Sequence, residues 1–206
     1  APECQAPRCD RGKVEPLLSS TTLEHVIVAA YSDYIAAPYP VSLPDEVALP
    51  RQVYANDRVY YWTDCLEANL LPKEYKGHVD DIAVLPYTSG TTGVPKGCVH
   101  SHRTVNANIV SAYHWANVTS DTVCLVTLPL FHVTGMVHSM HLPIFAGAAM
   151  VLLTRWNRDS AARLIEMHRC THWVNISTML IDFLANPSLS KYDISSLASI
   201  AGGGAP

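Results

Sequence analysis

Residues 87 to 102 read Tyr-Thr-Ser-Gly-Thr-Thr-Gly-Val-Pro-Lys-Gly-Cys-Val-His-Ser-His and carry most of the chemical information in this 206-residue chain. Gly90 and Gly93 let the backbone turn tightly and come close to a ligand. Lys96 adds a positive charge. Hydroxyls, free backbone N–H groups and a cation are what a polyphosphate requires around it. The stretch therefore predicts a phosphate-binding loop, whose four hydroxyls belong to Thr88, Ser89, Thr91 and Thr92.

This loop is not a Walker A motif, which ends in Gly-Lys-Ser/Thr. Here Lys96 follows Pro95 and precedes Gly97, so the hydroxyl that would hold magnesium is missing. The alternative to a phosphate-binding loop is an ordinary polar turn between a strand and a helix. The length and composition of the string favour the phosphate loop.

The flanking sequence predicts an α/β fold with a mostly parallel sheet. A strand at 82–87 leads into the loop, and Ser101 is placed to cap a helix that runs to about Asn117. Short apolar strands alternating with helices are typical of parallel sheets with helices on both faces. We expect the phosphate loop, the Phe131-His132 turn and the Gly202 loop to meet at one sheet edge. Further strands are predicted at 122–128, 148–153, 172–176 and 197–201, and further helices from 135 towards 146, at 159–170 and at 178–184.

The N-terminal part has a weaker pattern. The first twenty residues read as irregular, and 25–30 as a buried strand. Aromatic and β-branched residues around Asn56-Asp57 predict a hairpin over 54–62, followed by a helix over 63–71 capped by Thr63 or Asp64. We interpret 1–80 as the end of a first α/β subdomain and 81–206 as the phosphate loop with a second, incomplete one.

Composition narrows the function classes. The chain is 49% hydrophobic and has a net charge of −4, so it can bury a large core and offers no basic field for nucleic acid. No signal peptide or transmembrane segment is expected. Six cysteines at irregular spacing indicate free thiols in a reducing, cytoplasmic compartment. The closely spaced histidine pairs at 100 and 102 and at 138 and 141 match no zinc spacing, so no metal ligand is predicted.

Two further strings follow the phosphate loop in order. Residues 128–136 read Leu-Pro-Leu-Phe-His-Val-Thr-Gly-Met, and 202–206 read Gly-Gly-Gly-Ala-Pro. Together with the Pro-Lys-Gly ending of the loop, they resemble the AMP-forming adenylating superfamily of acyl-CoA synthetases, luciferases and peptide-synthetase adenylation domains. The resemblance is firm from about residue 80 to 206 and is closest to the fatty-acyl-CoA ligases.

The resemblance implies a reaction and its residues. ATP, with Mg²⁺, activates a carboxylic acid, here a fatty acid, to an acyl-adenylate, and coenzyme A then displaces AMP. Lys96 and His132 would be catalytic, His132 beside the acyl carboxylate or the phosphates; the alternative for His132 is a core histidine. A homodimer is left open. The cofactor-binding residues would be Thr88, Ser89, Gly90, Thr91, Thr92, Gly93, Lys96, Gly203, Gly204, Ala205 and Pro206. The alternative for Gly203 and Gly204 is an ordinary turn between a strand and a loop.

Parts of the family pattern are not in this sequence. The Tyr-Gly-x-Thr-Glu string, the aspartate for the ribose hydroxyls, the hinge and the C-terminal domain with its lysine would all follow Pro206. The 206 residues alone are therefore expected to form no acyl-adenylate. Three alternatives stay open: a non-catalytic nucleotide-binding module, a peptide-synthetase or luciferase-like enzyme, and an unrelated α/β protein with a Gly/Thr-rich turn.

Overall fold

The structure, a computed structural model, describes residues 11–35, 39, 41, 43–88 and 93–203. The chain divides into two compact units, 1–75 and 76–206. The two units are described separately below.

The first unit is built around a short parallel strand pair. Val26 of β1 pairs with Val59 of β2, and their neighbours continue the register. Leu18, Val28, Tyr54 and Val59 form the buried core around this pair. The elements are α1 (Arg11–Ser20), β1 (Val26–Val28), a 3₁₀ turn (Tyr31–Tyr34), α2 (Asp45–Ala48), β2 (Val59–Tyr61) and α3 (Trp62–Glu67).

Four expectations for this unit are wrong. The strand predicted at 25–30 forms only over Val26–Val28, and its Ile27 is exposed rather than buried. Residues 11–20 are helical rather than irregular, because burying Leu18 against the strand pair outweighs the presence of Pro16. The 54–62 hairpin does not form, since β2 pairs with β1 and the Tyr54 N–H donates to the Tyr61 hydroxyl at 2.7 Å. Helix α3 is shorter than predicted and begins after Tyr61, without a side-chain cap.

The second unit confirms the alternation of strands and helices predicted from residue 82 onward, with shorter strands. Twelve elements lie within its described residues, 76–88 and 93–203. These are β3 (Ile82–Val84), β4 (His100–Ser101), α4 (His102–Ala116), β5 (Val123–Val126), a π-helix (Gly135–His141), α5 (Leu142–Ala146), β6 (Ala149–Leu152), α6 (Arg158–His168), β7 (His172–Asn175), α7 (Ser177–Leu184), a 3₁₀ turn (Leu189–Lys191) and β8 (Ser199–Gly202).

Four of these strands form a parallel sheet in the order β6-β5-β7-β8. From β5 the chain crosses to β6 on one side, and later returns to β7 on the other side. From β7 it moves outward to β8. The connections that leave β5 and β7 therefore run in opposite directions, which makes the carboxyl end of this strand pair a topological switch point. Ligands of open α/β sheets bind at such points.

Local signals explain the helix ends. Ser101 caps α4, its hydroxyl accepting a hydrogen bond from the Thr104 N–H at 3.4 Å, as expected. Helix α4 ends at Asn117, which adopts the left-handed conformation with φ 51°. One face of α4 is apolar and packs inward, since Ile109 and Ala112 are buried. Asn157 caps α6 in the same way as Ser101 caps α4.

The sheet has apolar packing on both faces. Alternate residues of β5, Cys124 and Val126, pack with Leu142 and with Ala112 of α4. On the opposite face, Trp173 of β7 packs edge-on against Phe183 of α7. The parallel sheet with helices on both faces is therefore confirmed. In the part of the chain that is described, no helix is long and apolar enough to cross a membrane.

Candidate functional site

The predicted phosphate loop is closed at its base by backbone pairing. The Thr88 N–H donates to the Lys96 carbonyl at 3.0 Å, and the Cys98 N–H donates to the Pro86 carbonyl at 2.8 Å. Tyr87 and Gly97 lie opposite each other as an antiparallel bridge. Hydrogen bonds thus hold the two ends of the loop together, and β3 and β4 pair beyond them.

The described residues of the loop are exposed to solvent, as expected for a ligand-binding loop. These are Thr88 and residues 93 to 96, which include Lys96. Ser89, Gly90, Thr91 and Thr92, also predicted to bind phosphate, lie outside the described residues.

Gly97 has a structural role in the loop. The sequence indicated it only as the last residue of the Pro-Lys-Gly ending. A β-carbon at position 97 would lie 3.3 Å from side-chain atoms of Leu85 and Tyr87. That distance is tight for a β-carbon. The side chains of Leu85 and Tyr87 can lie this close to position 97 because glycine has no side chain. The Pro-Lys-Gly ending of the string could have indicated this role.

Helix α4 fixes the loop to the rest of the second unit. Its Arg103 donates to the Asp80 carboxylate through Nε at 2.6 Å and Nη2 at 3.0 Å. That hydrogen bonding lowers the pKa of Asp80. The Arg103 N–H also donates to the Val79 carbonyl at 2.8 Å. Because α4 packs against both the β3–β4 hairpin and the π-helix, it links the loop to the second candidate motif.

One expectation about the sheet edge is wrong. The loop follows β3, which pairs with β4 in a separate two-stranded sheet and not with the parallel sheet. The return strand β4 occupies the hydrogen-bonding edge of β3, since the loop is a hairpin and not a strand-to-helix crossover. Only the other two motifs follow strands of the parallel sheet.

The His132 turn lies directly after β5, at the switch point. The His132 N–H donates to the Pro129 carbonyl at 3.1 Å, and the Met136 N–H donates to the His132 carbonyl at 2.8 Å. The Thr134 N–H donates to Nδ1 of His132 at 3.3 Å. When the ring is neutral, its proton is therefore on Nε2, and this exposed side chain offers a hydrogen-bond donor. His132 is not a core histidine.

Gly135 allows this turn to close. A β-carbon at position 135 would overlap the Pro129 carbonyl and lie 3.3 Å from Cβ of Leu128. Gly135 is buried and begins the π-helix, a type of helix that often occurs at functional sites. The change to α-helical bonding falls at Leu142, immediately before Pro143. The sequence predicted a helix here but not its π geometry.

Two further histidines lie in the second unit, His172, which is buried, and His138, which is half-buried. Burial lowers the pKa of His138 in the π-helix. Burial also lowers the pKa of His172 in β7, and the neighbouring charge of His138 adds to this effect. Both side chains are therefore held neutral. In the part of the chain that is described, no three His, Cys, Asp or Glu side chains are grouped to hold a metal ion.

The described cysteines are free thiols. Burial raises the pKa of Cys124 to about 11 and that of Cys170 to about 12. Such thiols are poor nucleophiles, so neither is a catalytic candidate.

The glycine motif lies at the carboxyl end of β8. Gly202 pairs with Asn175 of β7, and a β-carbon on Gly202 would lie 3.2 Å from the Asn175 carbonyl oxygen and 3.3 Å from its Oδ1. Gly203 has open space on its side-chain face. Asn175 is buried, and its Nδ2 has no hydrogen-bond partner among the described residues. Gly204, Ala205 and Pro206 lie outside the described residues.

The arrangement brings two of the three motifs to one edge. The His132 turn follows β5 and Gly203 follows β8, with the end of β7 between them. An exposed imidazole donor and an open glycine backbone therefore lie at the same edge of the parallel sheet. The phosphate loop is joined to this edge through α4.

Comparison with known proteins identifies the family. The chain belongs to the AMP-binding enzyme family, which it matches over residues 13–206. This agrees with the resemblance drawn from the three motifs.

Two curated relatives are CoA ligases. The long-chain-fatty-acid–CoA ligase of Bacillus subtilis (strain 168) is 30% identical over 194 residues, which are 89% of this chain and 34% of that protein. The 4-coumarate–CoA ligase of Pinus taeda is 33% identical over 135 residues, which are 64% of this chain and 25% of that protein. The chain thus spans about a third or less of the length of these relatives.

A solved structure has the same architecture. The ATP-bound crystal structure of MatB from Rhodopseudomonas palustris matches 64% of this chain and 26% of that chain, with a TM-score of 0.59 and 30% sequence identity. The α/β fold of the second unit is therefore that of an adenylating enzyme.

Proposed function

We propose that the protein to which this chain belongs is an AMP-forming acyl-CoA ligase that activates a carboxylic acid, with a fatty acid as its substrate class. The observation that carries the proposal is the exposed loop that hydrogen bonds close at Thr88 and Lys96. It supplies a hydroxyl, backbone N–H groups and a cation at one place. The family match over nearly the whole chain supports the same function.

In the first half-reaction an oxygen of the substrate carboxylate attacks the α-phosphorus of ATP. The bond between that phosphorus and the bridging oxygen breaks, and pyrophosphate leaves with the electron pair. Lys96 would hold the β- and γ-phosphates and stabilise the charge that develops on pyrophosphate. The Nε2–H of His132 would donate to the acyl carboxylate or to the α-phosphate and orient the two reacting groups.

In the second half-reaction the thiolate of coenzyme A attacks the acyl carbon, and AMP departs as the leaving group. Gly203 offers open backbone for a planar adenine or a thin acyl chain. Coenzyme A as the acceptor is supported by the names of the two relatives, both CoA ligases.

Mg²⁺ fits this chemistry through its preference for phosphate and carboxylate oxygens. The described residues contain no three-residue cluster for a metal ion, and Thr88 is the one described threonine or serine of the loop. When bound, the ion would neutralise charge on the phosphates of ATP.

The fatty-acid assignment is supported by the relative that matches 89% of this chain. An aromatic acid is the second candidate, because the 4-coumarate ligase is slightly more identical over a shorter segment. The two candidates differ in the shape of the acid, so a substrate panel separates them.

The test is AMP formation by the purified full-length protein with ATP, coenzyme A and a panel of octanoate, palmitate, 4-coumarate and malonate. We expect acid-dependent release of AMP and pyrophosphate, with the highest kcat/KM for one of the fatty acids. Highest activity with 4-coumarate would move the substrate to the aromatic class. ATP binding without AMP release for any acid, in a protein that is folded, would contradict the ligase and favour a non-catalytic nucleotide-binding module.

A further inference from the structure

We infer that Thr127 and Trp173 are positioning residues that fix the His132 turn through a buried hydrogen bond from Trp173 of β7 to the residue that follows β5. The inference rests on the proposed function for the meaning of His132, although the contact itself does not depend on that function. Neither residue belongs to the motifs described above. Their role follows from the position of Thr127, which is the first residue after β5 and leads into the turn.

The hydrogen bond is buried and lies where β5 gives way to the turn. Thr127 is the residue after β5, and its Oγ1 accepts a hydrogen bond from Nε1 of Trp173 at 3.0 Å. Thr127 is 8% exposed and Trp173 is fully buried. Water therefore does not compete well for either group, and losing one partner would leave the other unsatisfied.

The indole is itself held in one orientation. It stacks on Trp156, with ring centroids 5.7 Å apart and an angle of 10° between the planes. Phe183 meets it edge-on at 5.2 Å. Trp156 is fixed in turn, because its Nε1 donates to the Asp182 carboxylate at 2.8 Å. Packing therefore sets the direction of the Trp173 N–H. The Thr127 hydroxyl accepts this hydrogen bond only when its backbone is in the right place.

The turn leaves little freedom between Thr127 and His132. Leu128 is buried, and the carbonyl of Pro129 accepts the His132 N–H while it lies against Gly135. A backbone shift at Thr127 would therefore be transmitted to the imidazole. The Trp173 side chain therefore reaches from within β7 to the residue that follows β5, and it ties the start of the turn to the sheet.

The chain contains a matched control at the opposite end of the same strands. The hydroxyl of Thr171, just before β7, accepts a hydrogen bond from the Val123 N–H at 3.1 Å. Thr127→Val and Thr171→Val each remove one interstrand hydrogen bond and keep the side-chain shape. Thr127→Ser keeps the hydroxyl and serves as the rescue variant.

The first test needs no activity. The tautomer of His132 in this chain is read from the ¹⁵N shifts of its two ring nitrogens, at a pH where the ring is neutral. We expect Nε2–H in the wild type, in Thr171→Val and in Thr127→Ser, and a mixed population in Thr127→Val. A wild-type tautomer in a folded Thr127→Val variant would overturn the inference.

The second test is a double-mutant cycle in the full-length protein. Thr127→Val should lower kcat/KM for adenylation by about 3- to 10-fold, the factor for one net hydrogen bond. In a His132→Ala background the same change should have little further effect, because Thr127 acts through His132. Equal losses in both backgrounds, or equal losses for Thr127→Val and Thr171→Val, would overturn the inference. If the wild type forms no AMP with any acid, the proposed function fails, and the tautomer measurement still decides the positioning role.

Discussion

Gly135 lies directly against the carbonyl of Pro129, so closely that no β-carbon could be placed between them. This contact bends the chain back after β5 and places His132 at the outside of the turn. The same carbonyl accepts the His132 N–H at 3.1 Å. The geometry of the turn therefore depends on a glycine that would not itself contact a ligand.

Gly135→Ala should destabilise the protein and disturb the His132 turn. The added methyl group would overlap backbone that is already hydrogen-bonded, so the backbone has to move. Overpacking of this kind costs about 1–3 kcal/mol in the free energy of unfolding. Urea denaturation measures the change, and Gly203→Ala is the control because its side-chain face is open. Equal stability for Gly135→Ala and the wild type would show that the turn adapts easily.

The buried His172 and the half-buried His138 should make stability fall in mild acid. Burial lowers the folded-state pKa values of His138 and His172 below the ordinary value of 6.5. Below about pH 6.5 the unfolded chain therefore takes up protons that the folded chain excludes. The free energy of unfolding should fall as the pH decreases from 6.5 towards the folded-state values, by up to about 1.4 kcal/mol per pH unit for each histidine.

Replacing each histidine in turn tests whether it causes the loss of stability in acid. His172→Leu should reduce the slope of stability against pH below 6.5, and His138→Leu should do the same. The double variant should have a smaller slope than either single variant between pH 6.5 and about pH 5, above the range where the carboxylates with lowered pKa values titrate. Urea denaturation at several pH values gives the slopes. Wild-type slopes in both single variants would assign the acid sensitivity to other groups.

Lys96 should contribute more to the rate of adenylation than to the rate of thioester formation. A charge-assisted hydrogen bond to phosphate contributes roughly 1.5–3 kcal/mol, so Lys96→Ala should slow adenylation by about 10- to 100-fold. Thioester formation from supplied acyl-adenylate should change much less, because pyrophosphate has already left. Both rates are measured in the full-length protein.

Lys191→Ala is the control for this prediction. Lys191 is an exposed lysine that precedes the amino end of β8, away from the carboxyl edge of the sheet. Its loss should leave both rates unchanged. Equal loss of both half-reactions in a folded Lys96→Ala protein would show a structural role for Lys96.

Much of the second unit could be predicted because its signals are local. Ser101 caps a helix whose apolar residues recur at helical spacing, and the strands are short apolar runs between turns. In the first unit the decisive contacts are distant along the sequence. Val59 pairs with Val26, so the residues around Asn56-Asp57 could not show that β2 joins β1 instead of forming a hairpin.

The sequence indicated which residues of the candidate site carry the chemistry. It did not indicate the contacts that hold those residues in place. Motif residues such as Lys96 and His132 stand out by type and spacing. The contact between Gly135 and Pro129 depends on an irregular turn, which no periodicity encodes. The bond between Thr127 and Trp173 joins residues 46 positions apart, and only the strand order brings them together.

Pyrophosphate exchange tests the central claim most directly. The full-length protein is incubated with ATP, labelled pyrophosphate and the preferred acid, without coenzyme A. We predict acid-dependent incorporation of label into ATP, with AMP as the nucleotide product once coenzyme A is added. Absence of exchange with every acid in a folded, ATP-binding protein, or formation of ADP and phosphate instead of AMP, would contradict the account.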